Sequence, residues 1–194
     1  MMAQIASDIS TFAVDDCPTP TSTIMTNAIF ADEKDAMIAV TEAPHVEHHP
    51  AADRTFMIRT KQQPYRYLSL ENGELKLLES VETGGGWLWH CIKHCGWFGF
   101  RNTVSGTYLG HAWWDDQHRL LAKAPHHQAD EYFIADRQTD GGYTLLALDD
   151  NKLLPVAIAG VHDMLLRHAE EPIGTAWEFV DTKFINIQVQ LKRL

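Results

Sequence analysis

The sequence predicts an all-β domain made of three copies of one four-stranded unit. From Arg54 onward, short apolar runs are broken by turn residues such as Glu71-Asn72-Gly73, Ser105-Gly106, Asp140-Gly141-Gly142 and Asp149-Asp150-Asn151. The runs recur at a near-constant interval. Leu75, Leu120 and Leu165 stand 45 residues apart, Phe56, Phe98 and Tyr143 stand 42 and 45 apart, and Tyr67, Tyr108 and Leu153 stand 41 and 45 apart. Four runs in each copy make twelve strands, and closing them on themselves removes the edges that a short-strand sheet leaves open. Three blades are too few for a propeller, so the pattern fits a threefold barrel with hairpin caps, the β-trefoil.

In chain order, residues 1–53 form an acidic N-terminal extension. They hold nine acids against one base, a net −8, within a chain whose net charge is −10. Cys17-Pro18-Thr19-Pro20 and the Ser/Thr residues that follow read as a turn or linker. Ile24 to Val40 reads as an amphipathic helix with Met25, Ala28, Ile29, Met37 and Ile38 as its apolar points. His45 to Pro50 reads as a loop, and much of the extension is expected to be flexible. The trefoil is assigned to residues 54–182. Its first unit runs through Phe56-Met57-Ile58, Tyr67 to Leu70, Leu75 to Leu78 and Trp87 to His90. The second runs through Phe98-Gly99-Phe100, Tyr108-Leu109-Gly110, Leu120-Leu121-Ala122 and Tyr132-Phe133-Ile134. The third runs through Tyr143-Thr144-Leu145, Leu153 to Val156, Leu165-Leu166 and Trp177 to Val180. Residues 183–194 alternate at Ile185, Ile187, Val189 and Leu191, predicting one more strand. It would pair with the N-terminal segment or with a second subunit as a homodimer contact.

Composition narrows the function classes. The chain has 194 residues, 45% hydrophobic and 22% charged, enough for one domain with a real core. Outside the extension, 15 bases face 17 acids, which makes nucleic acid a poor partner. Three cysteines argue against a disulfide scaffold, there is no leader-like start, and no apolar run approaches the roughly 20 residues that span a bilayer. A reduced, cytoplasmic setting without membrane insertion is the expectation.

The segments YLSLENGELKL, GFRNTVSGTYLGH, DEYFIAD and AWEFVD resemble those of fascin-like, actin-crosslinking β-trefoils, in particular single-domain proteins of filamentous fungi. The resemblance covers about residues 54–182. It implies the trefoil fold and raises a cytoskeletal partner, although a lone trefoil would have to dimerise to crosslink anything. A fold of this kind hosts many activities, so function has to be argued from a site.

WHCIKHC, residues 89–95, places His-Cys twice at a spacing of four. On a strand, Trp87, Trp89 and Cys91 share one face and His90 the other, so His90 and Cys91 do not converge on one metal. Cys91 reads as a core residue, and no metal or cofactor is expected. His111, Trp113, Trp114, Asp115 and His118 lie on what reads as a long connection, where a Trp pair offers a stacking surface and Asp and His offer hydrogen bonds. These five are the candidate ligand-binding residues. Arg59 and Arg101 sit at equivalent places and read as structural ion pairs. GxSxG, GxxxxGK[ST], HExxH and GxGxxG are absent, and so is the QxW of ricin-type lectins, which argues against a ricin-like galactose site.

The first expectation is therefore a non-enzymatic binding module for a glycan, a small molecule or a protein. The alternative is a motif-less enzyme, a cyclase or isomerase of fungal specialised metabolism. It would use a loop pocket with His90, His111, His126, His127 and Asp130 as candidate catalytic groups.

Overall fold

The structure is a computed structural model. It describes residues 37–42, 48–81, 84–114, 117–158, 164–166 and 174–190, with the backbone alone at 37–42, 114, 117, 164–166 and 186–190. The linker at Cys17 to Thr23, the helix expected over 24–36 and the segment 43–47 lie outside the described residues.

A first strand, β1 (Met37–Glu42), precedes the repeats. The first repeat holds β2 (Arg54–Thr60), β3 (Tyr67–Glu71), β4 (Glu74–Leu78) and β5 (Leu88–His94). The second holds β6 (Trp97–Asn102), β7 (Tyr108–Trp114), β8 (Gln117–Ala124) and β9 (Phe133–Arg137). The third holds β10 (Tyr143–Asp149), β11 (Lys152–Ile158), β12 (Met164–Leu166) and β13 (Ala176–Asp181). A last strand, β14 (Ile185–Gln190), follows them.

The outer strands of each repeat close on one another. The pairings run β2 to β5, β5 to β6, β6 to β9, β9 to β10, β10 to β13, and β13 back to β2, a six-stranded ring of antiparallel neighbours. The inner strands form three hairpins, β3–β4, β7–β8 and β11–β12. This is the β-trefoil the repeat spacing predicts.

The core repeats with the chain. Within each repeat an aromatic on the first strand stands opposite an aromatic on the fourth: Phe56 faces Trp89, Phe98 faces Phe133, and Tyr143 faces Trp177. All six are buried. Two residues further along, the contact passes between repeats, where Cys91 faces Phe100, Ala135 faces Leu145, and Phe179 faces Ile58. Small residues oppose large ones in two of these pairs, which fills the interior evenly. Leu68, Leu109 and Leu154, equivalent residues of the three hairpins, join the same cluster. Each aromatic ring removes roughly 150–250 Å² from water, on the order of 4–6 kcal/mol of transfer free energy as an upper bound.

Cys91 is thus a core residue, and its thiol is pushed up to about 12, first by burial and then by the Asp53 charge. Cys95 φ +50° and Gly96 φ +90° make the two-residue turn between β5 and β6, the positive-φ pair that suits strand twist. Cys95 is exposed and neither cysteine is bridged. Arg59 is buried, with Nε and one terminal nitrogen on Glu178 Oε2 at 2.9 and 2.8 Å, the structural ion pair expected of it. Arg101 differs: it is exposed and donates from Nε to the Gly106 carbonyl at 2.8 Å. The carbonyl lies in the turn beside it, whereas Glu178 reaches Arg59 from the paired strand β13.

The helix expected through Val40 is corrected at its C-terminal end. Met37–Glu42 is extended and pairs antiparallel with β14, Ile38 opposite Val189 and Val40 opposite Ile187. Short apolar runs fit period 3.6 and period 2 alike, and the β-branched Ile38, Val40 and Thr41 favour the strand once β14 offers a partner. His48 bridges Phe179, its Nδ1 accepts from the Asp181 amide at 3.2 Å, and its ring stacks on Phe184. Buried Asp181 also holds an ion pair with Arg54 and caps the following turn by accepting from the Lys183 amide.

Removing one ring of the core pairs should cost far more than trimming an exposed one. Phe133→Ala is expected to lower unfolding free energy by about 3–5 kcal/mol and Phe184→Ala by less than about 1 kcal/mol, as read from urea denaturation. Iodoacetamide under native conditions should modify Cys95 and leave Cys91 untouched until denaturant is added, as read by peptide mass spectrometry.

Candidate functional site

The segment His111–His118 is a β-hairpin, not the long loop that its sequence suggests. β7 runs through Trp114 and β8 begins at Gln117, and the two strands pair antiparallel up to Trp114 opposite Gln117. Trp113 stands opposite His118, and His111 opposite Leu120. Residues two apart share a face of a strand, so His111, Trp113 and His118 lie on one side of the ribbon.

That side grades from wet to dry. Trp113 at the tip is 59% exposed, although rings of this size usually go inside. It packs against His118 in a T-shaped pair, with ring centroids 4.7 Å apart and planes at 75°. His118 tilts against His111 at 5.6 Å. His111 is only 5% exposed, and its Nε2 lies 2.8 Å from the Leu148 carbonyl. His111 therefore lies below the surface that Trp113 presents. The cause is the cross-repeat contact, since the Leu148–Asp149 end of β10 covers it. Asp149 sits beside His118, Oδ2 to Nε2 3.5 Å. The side chain of Trp114, and Asp115 altogether, lie outside the described residues.

Asp149 escaped the sequence reading. Asp149-Asp150-Asn151 registers as a turn, and it is one, with Asp150 φ +42° and Asn151 φ +64°. Only the closed topology carries the end of β10 to the second hairpin, and no local pattern encodes that meeting.

The other candidates are dispersed. His90 on β5 faces Thr55, Nδ1 to Oγ1 3.4 Å. His126 and Asp130 are exposed. His127 is packed between Tyr108, at 5.6 Å, and Tyr132, at 4.8 Å, with Nε2 3.2 Å from the Phe98 carbonyl. Its ring lies on Gly99, where a Cβ would come within 2.5 Å of it. Burial lowers its proton affinity despite that carbonyl. Glu131 is buried and its carboxyl pushed up by burial, while it accepts the Gln128 amide at 3.0 Å and closes the single 3-10 turn Ala129–Glu131. His127 and Glu131 thus brace the loop onto the barrel.

Two shallow grooves of about 400 Å³ each adjoin around Val104, which is 64% exposed. One is lined by Ser69, Leu70, Glu71 and residues 84–87, the other by Gly73, Asn102, Ser105, Thr107 and Lys123. Neither contains any of the five candidate catalytic residues. Among the described residues no helix is long and apolar enough to cross a membrane.

No protein-family model matches the chain, and no curated protein matches it significantly. Solved structures do. A ricin B-like lectin of Macrolepiota procera in complex with lactose superposes with a TM-score of 0.54 at 14% identity, covering 68% of this chain and 98% of that one. The designed threefold-symmetric protein ThreeFoil gives 0.54 at 16%, covering 66% and 98%. A GH43 β-1,3-galactosidase gives 0.56 at 13%, covering 74% of this chain and 30% of its own. At such identities the shared property is the fold, and the chain is a β-trefoil.

Proposed function

We propose that this chain is a carbohydrate-binding β-trefoil module and that its sugar platform is the Trp113 face of the β7–β8 hairpin. The observation that carries the reading is a large indole left open to solvent yet braced from below by His118. A sugar ring has an apolar C–H face that stacks on an indole and hydroxyls that reach polar groups at its rim. The antiparallel pairing of β7 with β8 holds the platform before any ligand arrives, which lowers the ordering cost of binding. Structural neighbours support a sugar as ligand, since one is described as a lectin bound to lactose and another as a galactosidase. Without QxW, this platform is the chain's own rather than a ricin-type galactose site.

The enzyme reading has less support, because among the described residues neither groove around Val104 contains His90, His111, His126, His127 or Asp130. Actin crosslinking, which the fascin-like resemblance raises, requires two filament contacts, so a lone trefoil would have to dimerise to crosslink.

A glycan array followed by calorimetry on the best hit tests the proposal. Trp113→Ala should weaken binding by at least about tenfold, about 1.4 kcal/mol, while Val104→Ala in the grooves leaves it unchanged. Equal binding by wild type and Trp113→Ala, or loss in Val104→Ala alone, would remove the platform from this hairpin.

A further inference from the structure

Beneath Trp113 the second and third repeats bring together two imidazoles and a carboxylate. One ring nitrogen of His111, one of His118 and one oxygen of Asp149 lie within 4.8 Å of one another. The geometry points to a binding site for a divalent transition-metal cation of the zinc class, held by His111, His118 and Asp149 with a fourth position left open.

The hydrogen bonding supports this independently. A buried imidazole ordinarily satisfies both nitrogens. Here His111 Nδ1 is buried with no hydrogen-bond partner, and His118 turns its Nε2 toward Asp149. With His111 Nε2–H donating to the Leu148 carbonyl, its Nδ1 keeps a bare lone pair. A backbone carbonyl on one nitrogen and a cation on the other is how metal-bound histidines are oriented. His118 Nε2 and Asp149 Oδ2 stand at 3.5 Å, long for a hydrogen bond. That separation is close to the roughly 3.3 Å edge of a tetrahedron with metal–ligand bonds of about 2.0 Å.

The ligand chemistry selects the cation. Two neutral imidazoles and one carboxylate suit zinc and its first-row neighbours, whereas calcium and magnesium take nearly all-oxygen shells. The positions are firmly held. His111 and His118 are on paired strands, and Asp149 ends β10 at a two-residue turn. A bound ion would tie the second repeat's hairpin to the third repeat and fix the ring on which Trp113 rests. Zinc titration needs no sugar, so its outcome is separate from that of the Trp113 platform.

The test uses the untagged full chain, stripped with chelator and dialysed. Calorimetric titration with zinc chloride should give one Zn²⁺ per chain. His118→Gln and Asp149→Asn should each weaken binding by at least about 100-fold, beyond the 10–100-fold typical of outer-shell changes. His126→Ala, an exposed histidine elsewhere, should match wild type. Cobalt(II) added to wild type should give visible d–d absorption that His118→Gln lacks. Melting in chelator, where variants and wild type should coincide, shows that binding loss is not unfolding; should His118→Gln melt early, the near-isosteric Asp149→Asn decides. No zinc uptake by wild type, or uptake retained in Asp149→Asn, or uptake lost in His126→Ala, would overturn the site.

Discussion

Closure of the six-stranded ring is the constraint on which everything else depends. A short strand has unpaired N–H and C=O groups on both edges, and here each barrel strand finds a neighbour on either side. The ring closes only if three repeats present complementary faces at the same height. The facing pairs Phe56–Trp89, Phe98–Phe133 and Tyr143–Trp177 do so in each repeat. The next layer, Cys91–Phe100, Ala135–Leu145 and Phe179–Ile58, links each repeat to the following one. Intra-repeat and inter-repeat packing alternate along the axis, so no repeat has a core of its own.

This division of labour leaves the hairpins free. A barrel strand is bound on two edges and one face, and its substitutions are judged by the core. The β7–β8 ribbon contributes Leu109 to that core and carries Trp113 outward. Polar groups cluster where a hairpin of one repeat meets the barrel strand of the next, because residues distant in sequence become neighbours there. His111 and His118 against Asp149 are the clearest case. The same geometry that seals the barrel thus gathers polar groups under the exposed indole.

Much of the barrel was legible because it is periodic. Twelve strands follow from spacing and alternation, and the turns at Asn72-Gly73 and Asp150-Asn151 announce themselves by residues tolerant of positive φ. The trefoil's closing pairs follow from the same threefold spacing. The extended state of Met37–Glu42 was not legible, because its partner β14 lies about 150 residues away and the local pattern fits a helix too. The hairpin character of 111–118 was hidden by adjacent aromatics that blur alternation. Asp149 was hidden for a deeper reason: its role depends on a contact between repeats, and local sequence carries turn chemistry only. The candidate site was therefore half visible, its indole and histidines present in the reading and its carboxylate and its layering missing.

Native-state hydrogen exchange tests the shared core most directly. Amides of Phe56 and Trp89, of Phe98 and Phe133, and of Tyr143 and Trp177 are predicted to exchange only through global unfolding, with opening free energies that agree within about 1 kcal/mol. A repeat whose pair exchanges through a separate, lower-energy opening would contradict the account.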